Sequence, residues 1–155
     1  MFLVIGGKRE MVEESASERY LASARHCFLM GAVLAGLAVG LGAYHAHGLQ
    51  GLLEARGLEA DVVLKRLGNF EVGVRYQFYH ALAFIAFAGL SAQFWSRPFK
   101  LAVSLMAVGT VVFSGSLYLL VFLNLPVMGA ITPLGGVMQI AGWIVAAVAA
   151  RVGRK

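Results

Sequence analysis

The order of apolar and polar positions along this chain resolves into four long apolar blocks, each wide enough to cross a bilayer as a helix rising about 1.5 Å per residue. They predict spans at about 27–46, 72–95, 101–124 and 132–151. In the first block two neighbouring stripes of small residues recur at helical spacing: Gly36, Gly40 and Ala43, beside Gly31, Ala35, Ala38 and Gly42. Small residues let helices approach closely in lipid, so this span is expected to pack on at least two sides. From Gly48 to Phe70 the chain turns polar with amphipathic patches, predicting a loop that holds one short interfacial helix near Glu59 to Leu67. The Ser96–Lys100 stretch reads as a turn, and the Leu125-Pro126 pair closes the third span. Thr132 followed by Pro133 reads as an N-cap and first helical position.

Composition agrees with the pattern. Hydrophobic residues make up 59% of the 155 and the mean hydropathy is +0.77, values that belong to an integral membrane protein. No Asp, Glu, Lys or Arg occurs from Leu101 to Ala150, enough uncharged chain for two crossings. The balance of +5 does not point to nucleic acid, because the basic residues flank apolar runs and form no stripe; membrane lipid headgroups fit better. A single cysteine, Cys27, excludes an internal disulfide and any cysteine-based metal framework. Residues 1–25 read as a charged surface segment, weakly amphipathic through Met11, Val12, Ala16, Tyr20 and Leu21, and the start does not read as a cleaved signal peptide. Residues 26–155 read as the transmembrane domain.

Orientation follows from the basic residues. With four crossings, the side shared by the two termini and the 96–100 turn holds nine Lys or Arg against four opposite, which puts both termini in the cytoplasm. The expected architecture is an all-α four-transmembrane-helix bundle, multi-pass, in the plasma membrane.

Polar side chains inside the blocks carry the candidate chemistry. Arg75, Tyr76, Gln77, Tyr79 and His80 open the second span and cover more of the helix circumference than lipid tolerates, so they must face protein or a wet cavity. Glu71 stands four residues before Arg75, a spacing that predicts an ion pair. Ser114, Ser116 and Tyr118 in the third span, and Thr132 and Gln139 in the fourth, lie at comparable depth. Measured from the outer ends of their spans, His80, Ser116, Tyr118 and Gln139 lie about 9 to about 12 Å down, which predicts one polar layer in the outer half of the bilayer. His47, at the rim of the first span, joins them, whereas His45 points about 200° away if the helix persists. A pocket bounded by His47, Arg75, His80, Ser116 and Gln139 is the expected result.

These motifs, Gly42-Ala43-Tyr44-His45-Ala46-His47-Gly48-Leu49, Val74 to Leu82, Phe113-Ser114-Gly115-Ser116-Leu117-Tyr118, and Gly129 to Gly136 with Gly142-Trp143, together resemble the membrane-protein family known as domain of unknown function 423. The resemblance covers roughly residues 30–150. The family's first motif usually reads Gly-Ala-Phe-Gly-Ala-His, so His47 matches its histidine while His45 stands where the family has glycine. The resemblance implies a small helical protein of the bacterial plasma membrane and brings no activity, substrate or cofactor with it.

His47 with His80 suggests a metal or haem site, but no third ligand accompanies them at depth, so hydrogen bonding to hydroxyls is the reading adopted. Arg75 suits a lipid phosphate, a quinone or an anionic solute, or else pairs structurally with Glu71. The serines suit helix packing better than nucleophilic catalysis, since no nucleophile elbow or nearby acid supports it. No catalytic residue, metal ligand or cofactor is assigned. The leading expectation is a non-enzymatic accessory or assembly component, partnered by lipids and by its own copies or another membrane protein. The alternatives are a small-solute or proton-coupled transporter, and a quinone- or haem-binding redox protein.

Overall fold

The computed structural model describes residues 2–90 and 95–152; the side chains of residues 2–12 and 152 lie outside the described set. Every regular element described is helical. α1 (Phe2–Tyr44) runs into a π turn (His45–Leu49) and then α2 (Gln50–Ala55); α3 (Ala60–Ala88), α4 (Arg97–Phe122) and α5 (Met128–Val152) follow.

Neighbouring long helices pack antiparallel in the series α1, α3, α4, α5. Gly31 meets Ala81 and Ile85 while Gly42 meets Val74, so α1 and α3 run in opposite directions. Gly73 meets Tyr118, Phe87 meets Phe99, and Gly109 meets Gln139, which sets the same relation for the next two pairs. The seam between α4 and α5 is the closest. A methyl group at Gly135 would run into the backbone nitrogen of Phe113 and approach the Gly109 carbonyl at 2.8 Å. Only glycine leaves room for the two backbones there.

Apolar clusters close both ends of this row. Leu49, Leu53, Val63, Phe70, Leu120 and Val121 pack where α4 ends, with Phe70 edge-on to Phe122 at 5.3 Å. At the opposite end Cys27, Phe84 and Met106 form one cluster, and Phe99, Ala102, Ala146 and Ala149 form another.

Several boundaries differ from the sequence expectations, each for a physical reason. The surface segment 1–25 and the first span are one helix of 43 residues. The expected interfacial helix at 59–67 is the start of α3: Val63, Arg66, Phe70, Gly73, Gln77 and His80 form an unbroken buried stripe, and Gly68, read as an interruption, sits on the exposed face. α4 starts at Arg97, inside the expected turn, because the Ser96 hydroxyl caps the Phe99 N–H and Pro98 occupies the first turn, where its missing N–H costs nothing. It ends at Phe122, two residues early, because Asn124 takes a left-handed φ of 51°. α5 begins at Met128 rather than Thr132, since the turn bonds from Met128, Gly129 and Ala130 to Leu125, Pro126 and Val127 wind directly into it. Pro133 therefore falls in the second turn. α3 ends at Ala88, seven residues before the expected end at Trp95, because the Gly89 and Leu90 N–H groups turn back onto the Ala86 and Phe87 carbonyls; residues 91–94, Arg154 and Lys155 lie outside the described set.

Among the described residues, three helical stretches contain an 18-residue window apolar enough to cross a membrane: Glu13–Ala55, Arg97–Phe122 and Met128–Arg151, with mean hydropathies over such a window of 2.0, 2.0 and 1.6. α3 is not among them, for it carries Asp61, Lys65, Arg66, Glu71 and Arg75 and then the polar Gln77 and His80.

Candidate functional site

Apart from Arg66, the buried polar side chains lie between the two apolar ends, and several of their hydrogen bonds run from one helix to the next. Gln77 on α3 is the junction. Its amide nitrogen donates to the Leu34 carbonyl of α1 at 2.9 Å, and its amide oxygen accepts from the Tyr118 hydroxyl of α4 at 2.9 Å. One turn away, the Ser114 hydroxyl donates to the Gly73 carbonyl at 2.8 Å. Between α4 and α5, Ser116 and Thr132 share a hydroxyl contact of 2.8 Å, and Gln139 donates to the Thr110 hydroxyl at 3.4 Å. Thr110 donates its own proton to the Met106 carbonyl, and of Ser116 and Thr132 one donates to the other while the second donates to a carbonyl of its own helix.

His80 differs from these. It is 5% exposed, and its Nδ1 lies 2.9 Å from the Tyr76 carbonyl. A carbonyl only accepts, so Nδ1 carries the ring proton and Nε2 presents a lone pair. That lone pair is buried and has no partner. The ring faces Trp143 of α5, with centroids 6.2 Å apart.

The ten candidates therefore divide. His80, Ser114, Ser116 and Gln139 are buried and Tyr118 and Thr132 partly so, whereas His47, Arg75, Tyr76 and Tyr79 are exposed. Arg75 meets Glu71 as expected, but the two side chains are 50% and 52% exposed, so this pair lies on the outside of α3. The pocket expected from His47, Arg75, His80, Ser116 and Gln139 does not close around one space. Its members are drawn apart by the exposed face of α3 and by the π turn, which ends the 100° progression that put His47 with the small-residue stripe. His45 turns inward instead, with Nε2 3.2 Å from the Leu67 carbonyl and the ring stacked on Phe70.

Nor is there a single polar layer. Thr110 stands at the middle of α4, so its link to Gln139 is central, and Gln139 sits a turn deeper than expected because α5 starts earlier. Only one stripe of small residues on α1 packs: Gly31 lies against Ala81 and Ile85 of α3 and Ala38 is buried, while a methyl group added at Gly36 or Gly40 would meet nothing within 4 Å.

Sequence reading missed Arg66. It is 8% exposed and has no acidic partner among the described residues; its guanidinium donates to the Leu120 carbonyl and, at 2.7 Å, to the Asn124 side chain. Arg56 adds a bond to the Val121 carbonyl at 3.2 Å. The two arginines meet the negative end of the α4 dipole and its unpaired carbonyls, which stand in for a carboxylate. The signal was present as a basic residue on an apolar stripe, Val63-x-x-Arg66-x-x-x-Phe70, in a stretch read as a short interfacial helix. Gln77 was legible as one of the polar residues of the second span that must face protein, though it was not singled out as a ligand candidate; Thr110, also absent from the candidates, had no signal beyond lying in an apolar run.

A groove of about 500 Å³, lined by Val111, Ser116, Tyr118, Phe122 and Ile131 among others, runs along the α4 and α5 surface. Among the described residues no three of His, Cys, Asp and Glu come together as metal ligands.

Comparison with known proteins gives a consistent answer. The family model described as "Protein of unknown function (DUF423)" matches residues 41–136. The UPF0382 membrane protein YwdK of Bacillus subtilis is 42% identical over 79% of this chain and 93% of its own length. A UPF0382 membrane protein of Haemophilus influenzae is 41% identical over 68% of this chain and 77% of its own. The UPF0382 inner membrane protein YgdD of Escherichia coli is 34% identical over 86% and 95%. No solved structure matches.

Proposed function

From the premise that this chain belongs to the DUF423 family of membrane proteins, we propose that it is a non-enzymatic component of the bacterial inner membrane whose internal polar side chains lock its helices together. The observation that carries the reading is Gln77, one amide joined to α1 and α4 at once. With Ser114, Ser116, Thr132, Gln139 and Thr110, it gives each pair of neighbours in the row at least one side-chain hydrogen bond. In a bilayer, where apolar burial between helices supplies little drive, such links and close backbone contact decide which helices pair.

The proposal includes a fourth crossing by α3. Its support is the antiparallel packing of α3 between two stretches that are each apolar enough to span, with Arg66 neutralised by the end of α4. Both termini then share the cytoplasmic side on the balance of Lys and Arg. Gly36 and Gly40, unpacked on α1, favour a partner helix or a second copy against that face.

A second reading, binding of a lipid-like small molecule, is favoured by the unspent lone pair of His80. A hydroxyl-bearing ligand would satisfy it. The two are separated by purifying the full chain in native-membrane discs, measuring thermal stability of Gln77→Leu, Ser114→Ala and His80→Ala, and identifying co-purified small molecules by mass spectrometry. The structural reading expects each variant to lose stability with the co-purified set unchanged. Unchanged stability of His80→Ala together with loss of one specific molecule sinks it.

A further inference from the structure

A cavity of about 470 Å³ opens at the end of the molecule where α4 begins, between the charged stretch of α1 and the segment entering α4. Its lining brings together two cations far apart in sequence, Arg19 and Lys100, with the Ser17 and Tyr20 hydroxyls, the Trp95 ring and one carboxylate, Glu13. The arrangement is anchored: the Tyr20 hydroxyl donates to the Leu90 carbonyl, and its ring meets Trp95 edge-on at 6.1 Å.

The charges in this cavity are not spent on one another. Among the described residues neither Lys100 nor Glu13 has an ionic partner, and the Arg19 guanidinium donates to the Ser15 hydroxyl at 3.3 Å. Two cations sharing one concavity repel, and the first turn of α4 adds the positive end of a helix dipole with no acidic residue to offset it. The indole N–H of Trp95, a lining residue, is buried without an acceptor among the described residues. An arginine fork, an ammonium and the Ser17 hydroxyl beside a tryptophan form a donor set suited to phosphate at headgroup depth.

We propose that this cavity binds a phosphate group between Arg19 and Lys100, carried by an anionic phospholipid or by a soluble phosphate ester. The site is separate from the interhelical links and stands whether or not those prove structural.

The test is a titration of the full detergent-solubilised chain, followed by native mass spectrometry, with phosphatidylglycerol, phosphatidylcholine and, in a lipid-free series, glycerol 3-phosphate. Phosphatidylglycerol is expected to bind at least about tenfold more tightly than phosphatidylcholine, and the pair Arg19→Ala/Lys100→Ala to lose about tenfold. Arg97→Ala, basic and adjacent but outside the lining, changes affinity by less than about twofold. Glu13→Gln removes the only carboxylate among the described lining residues and tightens binding, a gain that a misfolded variant would not produce. Glycerol 3-phosphate binding with the same dependence on Arg19 and Lys100 identifies a soluble ester as the source. The proposal is overturned if the Arg19/Lys100 variant binds as the unmodified chain does, if Arg97→Ala weakens binding equally, or if Glu13→Gln fails to tighten it.

Discussion

Replacing Gln77 by leucine keeps most of the side chain's volume and removes the amide that joins three helices. Two hydrogen bonds are lost, to the Leu34 carbonyl and from the Tyr118 hydroxyl, each 2.9 Å long. Interhelical side-chain bonds in membranes average about 0.6 kcal/mol and reach about 1.7. The expected loss is therefore about 1–3 kcal/mol, towards the upper end because the half-buried Tyr118 hydroxyl loses this partner. Tyr118→Phe removes one of the two bonds and is expected to cost about 0.6–1.7 kcal/mol. Because both changes break the same bond, the double variant should fall short of their sum by about 0.6 kcal/mol or more. The assay is equilibrium unfolding in mixed micelles titrated with sodium dodecyl sulfate and followed by far-ultraviolet circular dichroism. A Gln77→Leu protein within about 0.3 kcal/mol of the unmodified chain, with additive single and double variants, would refute the junction.

Three further outcomes follow from the same coordinates. Arg66→Met leaves the Leu120 carbonyl and Asn124 without their donor and should cost about 2–4 kcal/mol in the same unfolding assay, with Arg66→Lys recovering part of it. Gly135→Ala forces backbone against backbone in the α4 and α5 seam and should cost about 1–3 kcal/mol, whereas Gly40→Ala, with open space around it, should be neutral or stabilising by up to about 1 kcal/mol in the monomer. Arg75→Ala breaks an exposed pair and should change stability by less than about 0.5 kcal/mol, vanishing in high salt; a larger loss would mean that this face of α3 is covered.

Helical class, membrane residence, family and the existence of the long apolar helices were legible in the residues, because hydrophobic length and the spacing of small residues are local properties that lipid enforces wherever the chain goes. The Glu71 and Arg75 pair was legible for the same reason, being one turn apart on one helix. Which polar groups meet was not. Gln77 finds Leu34 and Tyr118 only after α3 has packed between α1 and α4, and Gln139 finds Thr110 only because glycines let α5 sit against α4 at that register. Likewise His45 turned inward and His47 outward at a π turn that no periodicity announces, and Arg66 became tolerable inside the protein because the end of another helix supplied the compensating charge. Spacing along one helix sets what that helix can offer; the registry between helices, a sum of many contacts distant in sequence, decides which offers are taken up.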